Sequence, residues 1–230
     1  MHKIFYIDSD EATQIIISVV AIAFAFSLAY ASPSVLLKLP KEFIIFTVIS
    51  IVTIGTGFIL HEMAHKLVAI HYGAYARFQM WVQGLVLMVG LSVMGFLFAA
   101  PGAVYIYSNN ITRKENGIIS IAGPVTNIII ALAFFALAIF APVRVSFSFM
   151  GQPLNIWFFG AQLNLILAIF NMLPMFPLDG SKVFLWNKLA WIGFMVACFA
   201  VGLLLLPISS LIMYSVLIVI SFLLSGVFKR

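Results

Sequence analysis

Charge is what this chain has least of. Only 8% of its 230 residues are Asp, Glu, Lys or Arg, and 64% are apolar. Soluble domains run near about a quarter charged and half apolar, so a soluble globular protein is excluded. Cysteine is almost absent. The single Cys198 rules out an internal disulfide and any cysteine-based zinc site, and within "WIGFMVACFAVG" it reads as a small buried hydrophobe. The net charge of +5 comes with no basic stripe interleaved with aromatics, which argues against nucleic acid as a partner. No stretch is long enough for a separate soluble domain; the longest that is not an obvious span is 72–116. What is there is hydrocarbon-like sequence. The expectation is an all-α polytopic membrane protein, one membrane-embedded domain over 1–230 with the lipid bilayer as its solvent.

Apolar runs predict spans at about 12–36, 43–71, 117–141, 154–173, 186–206 and 208–228, with Pro207 separating the last two. The first run is too long for a signal-peptide core and lacks a convincing cleavage site, so it reads as a retained span. A seventh stretch, 84–106, is ambiguous. Phe78, Met80 and Val82 alternate with Gln79, Trp81 and Gln83 before it, which suggests a strand. Glycines at 84, 90, 95 and 102 and Pro101 weaken a helix within it. If it is re-entrant, Lys3, Arg77, Arg113, Lys114, Lys182, Lys188, Lys229 and Arg230 share one side, against Lys38, Lys41 and Arg144 on the other. The positive-inside rule then places both termini in the cytoplasm. If it spans, the tally is the same with the termini outside, so charge alone does not decide.

Against this oily background stands "FILHEMAHKL" at 58–67. Ionisable groups in a span are costly and read as functional. His61, Glu62 and His65 form H-E-x-x-H, and on a helix residues four apart share a face, so both imidazoles can point at one ion. Zinc suits such ligands and lowers the pKa of bound water to about 7. Glu62, one step round the helix, is placed to take the water's proton. The competing structural reading pairs Glu62 with Lys66, four residues on, and gives the histidines helix-to-helix hydrogen bonds. His71 reads as an interfacial residue and His2 as tail.

Zinc sites usually have at least three protein ligands. Of the seven acidic residues, Asp8, Asp10, Glu11, Glu42 and Glu115 flank spans or lie in tails, where solvated charge belongs. That leaves Asp179, in "NMLPMFPLDGSKV", where Pro174 and Pro177 stop a helix. Irregular backbone at membrane depth is tolerated where it lines a cavity. Alone, Asp179 would read as the N-cap of the next helix; the missing third ligand makes it the candidate. Phe43 to His61 is about 27 Å of helix at 1.5 Å per residue, so the histidines lie toward the far end of the second span. Asp179 follows the far end of the 154–173 span, and the two ends meet only if 84–106 is re-entrant. The metal reading therefore selects about six spans with a short re-entrant β-loop segment over about 78–106, and a site toward the cytoplasm.

Taken together, His61-Glu62-x-x-His65 and Asn171-x-x-Pro174-x-x-Pro177-x-Asp179-Gly180 resemble the site-2 protease family of intramembrane zinc metalloproteases. Gly123-Pro124-x-x-Asn127 in "AGPVTN" resembles the family's intervening element. The resemblance covers about 43–182 and implies one Zn2+ per chain held by His61, His65 and Asp179, with Glu62 as general base and Asn171 supporting the reacting carbonyl. It departs from the family in having Ala64, where glycine is frequent, and in lacking PDZ-like or CBS-like domains. Asn171 could equally bond carbonyls freed by the prolines. Asn127 reads as a helix-to-helix bond. The strand edge around 78–83 could hold an unwound peptide by β-augmentation, with Gln83 and Gly84 as candidate substrate-binding positions. Gln79 and Gln83 otherwise read as solvated strand residues.

The implied activity is hydrolysis of peptide bonds in or near transmembrane segments of other membrane proteins. The alternative is a non-catalytic metal-binding membrane protein or transporter, for which the chain lacks the expected internal repeats. A zinc peptidase of prenylated tails would take a later glutamate as ligand, and no acidic residue follows Asp179.

Overall fold

The computed structural model describes residues 5–97, 101–108, 110–141, 146–149 and 152–227. His2, Lys3, Asn109, Arg144, Lys229 and Arg230 lie outside them, as do positions 98–100 of the expected re-entrant segment.

Helix α1, Ser9–Ala31, begins where the Asp8 carboxylate accepts the Glu11 N–H at 2.8 Å, satisfying one free donor of the first turn. Ser32 at φ 67° and Pro33 stop it, so the first span ends short of the expected residue 36. The short α2, Pro33–Lys38, and α3, Pro40–Ser50, each start at a proline, which lacks the N–H a first turn cannot use. A π turn, Ile51–Gly55, joins α3 to α4, Thr56–His71, in a continuous helix of 32 residues. After Gly73 at φ 78°, strand β1, Tyr75–Met80, pairs antiparallel with β2, Gly102–Tyr107, from Tyr75↔Tyr107 to Met80↔Gly102.

Between the strands lies α5, Val82–Ser92. The expected strand thus starts earlier and ends at Met80, and Gly84 and Gly90 sit within a helix that runs until the turn at Gly95, φ 82°. Packing of Leu85, Met88 and Val89 into the cluster that holds Ile22, Leu28 and Phe43 offsets the cost of about 1 kcal/mol per glycine. At 11 residues α5 is about 16 Å long, half of a hydrocarbon core. The excursion leaves at Tyr75 and comes back beside it at Tyr107.

Helix α6, Arg113–Phe140, opens with a capping box in which Thr112 Oγ1 accepts the Glu115 N–H and the Glu115 carboxylate accepts the Thr112 N–H. Strands β3, Ser146–Phe149, and β4, Gln152–Asn155, form a second antiparallel pair. Asn155 then caps α7, Ile156–Asn171. The chain breaks at Pro174 and Pro177 before α8, Asp179–Trp186, and continues through α9, Lys188–Leu205, and α10, Ile208–Val227.

Among the described residues, five helical segments are long and apolar enough to cross a membrane: Ser9–Ala31, Pro40–His71, Arg113–Phe140, Lys188–Leu205 and Ile208–Ser225. The chain is a multi-pass membrane protein. Of the six expected spans, the fourth corresponds to α7. Its 16 residues reach only about 24 Å, because Asn155 caps one end and Pro174 limits the other. It is nonetheless central. Phe159 and Leu163 pack with Ile22, Phe43 and Phe46, while Leu165 and Ile169 pack with Val183, Trp191 and Met195. Leu203 and Leu204 of α9 and Val216 and Val219 of α10 stay exposed, as a lipid-facing surface requires.

Candidate metal centre

Helix α4 carries His61 and His65 one turn apart, facing α6 and the start of α8. Their Nε2 atoms stand 3.0 Å apart, and Asp179 Oδ2 lies 3.3 Å from the first and 3.0 Å from the second. All three residues are buried. Among the described residues this is the only His, Cys, Asp or Glu trio that could hold one ion. A tetrahedral zinc bound at about 2.0–2.1 Å separates its ligand atoms by about 3.3 Å, so the trio already has nearly the required spacing.

The back of each imidazole shows which way its lone pair faces. His61 Nδ1 is 2.6 Å from Asn127 Oδ1, and His65 Nδ1 is 2.7 Å from the Ile119 carbonyl. Both partners only accept, so each Nδ1 carries its proton and each Nε2 turns a lone pair inward. Two such nitrogens and a carboxylate oxygen converge on one point, an arrangement that a cation resolves.

Two glycines make room. A Cβ at Gly123 would lie 2.5 Å from His65 Nε2 and 2.6 Å from His61 Nε2, so α6 passes the imidazoles bare where an ion needs space. A Cβ at Gly180 would collide with the Met172 carbonyl, so glycine lets the start of α8 nest against the end of α7. Asp179 is the first residue of α8 and makes no capping hydrogen bond; Leu178 occupies the cap position. Its carboxylate is thereby left to the histidines and, at 3.4 Å, to Lys182.

A cavity of about 370 Å³ opens on the trio. Glu62 and Asn171 line it together with Gly102–Ile106 of β2. Glu62 Oε2 accepts the Val104 N–H at 2.8 Å. Asn171 Nδ2 donates to the Leu167 carbonyl, 3.0 Å away and one turn back on α7. Gln83 and Gly84 do not line this cavity; they lie on the first turn of α5, with Gln83 exposed.

Lys66 does not pair with Glu62. It meets Glu11, which is buried rather than solvated, at 2.6 Å. Glu11 Oε1 also accepts the Phe78 N–H at 2.8 Å, and Gln14 Oε1 accepts the Met80 N–H at 3.0 Å. The outer edge of β1, where a docking strand was expected, is therefore covered by α1. Asn164, buried between α4 and α7, belongs to none of the sequence motifs. An amide within the apolar run "GAQLNLILAIF" is the signal that could have marked it, since a polar side chain in a span needs a partner.

A chain of this shape, mostly helical and apolar with a buried His/His/Asp group, belongs with membrane metalloenzymes. Its relatives name the class. It is 43% identical over 191 residues, covering 82% of this chain and 91% of the relative, to "Putative zinc metalloprotease MJ0611" of Methanocaldococcus jannaschii. It is 33% identical to "Putative zinc metalloprotease YwhC" of Bacillus subtilis over 58% of this chain and 66% of that one. It is 30% identical to "Putative zinc metalloprotease Rip3" of Mycobacterium tuberculosis over 56% of this chain and 28% of that one. No protein-family model and no solved structure matches the chain. The chain belongs to the site-2 protease family of zinc metalloproteases, and its cofactor is zinc.

Proposed function

We propose that the chain is an intramembrane endopeptidase that cuts transmembrane substrates, with His61, His65 and Asp179 as zinc ligands and Glu62 as general base. The observation that carries this reading is the shared cavity. Three converging acceptors, an adjacent carboxylate and a strand edge all face one space. Zinc, when bound, supplies Lewis acidity and makes hydroxide available near neutral pH. Glu62 accepts the proton of the attacking water and returns it to the leaving amine. Asn171, at the cavity wall, turns its amide to the developing oxyanion.

A helical substrate must first unwind, and its freed backbone then needs partners. Phe78 and Val104 form a pair whose N–H groups point away from each other, Phe78 to Glu11 and Val104 to Glu62. With the β1 edge covered, the incoming strand adds to β2 along Gly102–Ile106, beside Glu62, rather than along 78–83. The same reading has six spans, counting α7 as a short one sheltered by protein, and places the termini and site toward the cytoplasm. The pairing of Tyr75 with Tyr107 and the loop charges support it.

The test is cleavage of a purified transmembrane substrate in detergent by the parent and by Glu62→Gln. The variant is expected to lose cleavage by at least about a thousandfold, within the range for removal of an essential proton-transfer group. Cleavage by Glu62→Gln at the parental rate would overturn the mechanism.

A further inference from the structure

We propose that Asn164 is a positioning residue for the metal centre, acting through Asn127 on His61; this rests on His61 being a zinc ligand. The two histidines are held differently. The partner of His65 Nδ1 is the Ile119 carbonyl, part of a helix backbone that cannot rotate. The partner of His61 Nδ1 is the side-chain amide of Asn127, which can turn over and present NH2 instead of oxygen. A turned amide would set two donors face to face. His61 would then have to give up its Nδ1 proton, carry one on Nε2, and lose the lone pair that faces the ion.

Asn164 removes that freedom. Its Nδ2 donates to the Gly160 carbonyl at 2.9 Å and the Thr53 carbonyl at 3.3 Å, so both its N–H bonds go to backbone acceptors. Its Oδ1 must then face the other way, where it accepts Asn127 Nδ2 at 3.1 Å. Asn127 Nδ2 also donates to the Gly57 carbonyl at 3.2 Å. With both its donors committed there, Asn127 has only its oxygen left for His61. Asn127 and Asn164 are each 0% exposed, so no bulk water can substitute for a broken link.

The path runs from the π turn of the zinc helix, through α7 and α6, and back to the zinc helix four residues past Gly57. Gly57 is its complement. A Cβ there would collide with Asn164 Oδ1, so bare backbone at this point admits the amide between α4 and α7. Gln162 offers an internal comparison. It is a partly buried amide on the same helix, and its Nε2 donates to the Leu205 carbonyl at 2.7 Å on the side of α9, with no link to the centre.

The experiment measures zinc affinity by chelator competition, and thermal stability in parallel, on the full-length protein in detergent. Asn164→Leu and Asn164→Ala are expected to weaken zinc by about tenfold to a hundredfold, the usual cost of losing an outer-shell partner. Gln162→Leu is expected to lower stability and leave zinc affinity at the parental value. The double variant Asn127→Leu/Asn164→Leu should bind zinc as Asn127→Leu does, because Asn164 acts only through Asn127. The alanine variant covers the case in which leucine is too bulky to fold. Parental zinc affinity in a folded Asn164 variant, or effects of Asn127→Leu and Asn164→Leu that simply multiply, would overturn the relay. A parent that binds no zinc at all would instead overturn the ligand assignment on which it rests.

Discussion

Helix α4 buries charge on two sides in consecutive residues, and the two clusters are built on opposite principles. On one side Lys66 Nζ meets both oxygens of Glu11 and the Tyr6 carbonyl, each at 2.6 Å, and Glu11 takes the Phe78 N–H besides. Every donor has an acceptor and every charge an opposite. On the other side His61, His65 and Asp179 point acceptors at one another, each imidazole braced from behind. The first cluster is complete and ties α1, α4 and β1 together. The second is complete only with a cation. Burial and charge alone do not separate a structural ion pair from a reactive centre; the balance of donors and acceptors does.

Breaking the complete cluster should show in stability before chemistry. Glu11→Ala leaves an unpaired buried ammonium and an unpartnered Phe78 N–H, a loss of about 3–5 kcal/mol. Thermal unfolding should fall accordingly, while zinc affinity of the protein that remains folded stays at the parental value. A large fall in zinc affinity at unchanged stability would mean that the two clusters are one.

Breaking the incomplete cluster at its periphery should do the reverse. Asn171→Ala is expected to keep zinc and stability and to cut about ten- to a thousandfold more slowly, the range for losing an oxyanion donor. Unchanged turnover would leave Asn171 with only its bond to Leu167. The smallest effect is expected at Gln83, which is exposed on α5 and outside the cavity; Gln83→Ala should cut at the parental rate.

The contrast also explains what could be read in the chain. The convergence of His61 and His65 was legible because helical periodicity alone puts i and i+4 on one face. Asp179 was legible by shortage: few acidic residues exist, and the prolines around it break a helix at depth. The complete cluster was not legible. Glu11 sits in the first turn of a span, where a solvated charge is ordinary, and its burial depends on Lys66, 55 residues away. The covered edge of β1 follows from the same distant contact, which is why an open strand edge was expected around 78–83. Helix α5 was hidden by its own glycines, which propensity counts as breakers but which an apolar helix tolerates. The relay through Asn164 depends on the close approach of three helices, and no single segment contains that information.

The central claim is that His61, His65 and Asp179 hold the ion and Glu62 does not. Its most direct test is the zinc content of the purified parent, Asp179→Ala and Glu62→Gln, by elemental analysis after equilibration with excess zinc buffered at a low free concentration. One zinc per chain is expected in the parent and in Glu62→Gln, and a stoichiometry near zero in Asp179→Ala. Full zinc at parental affinity in Asp179→Ala, or loss of zinc from Glu62→Gln, would contradict the account.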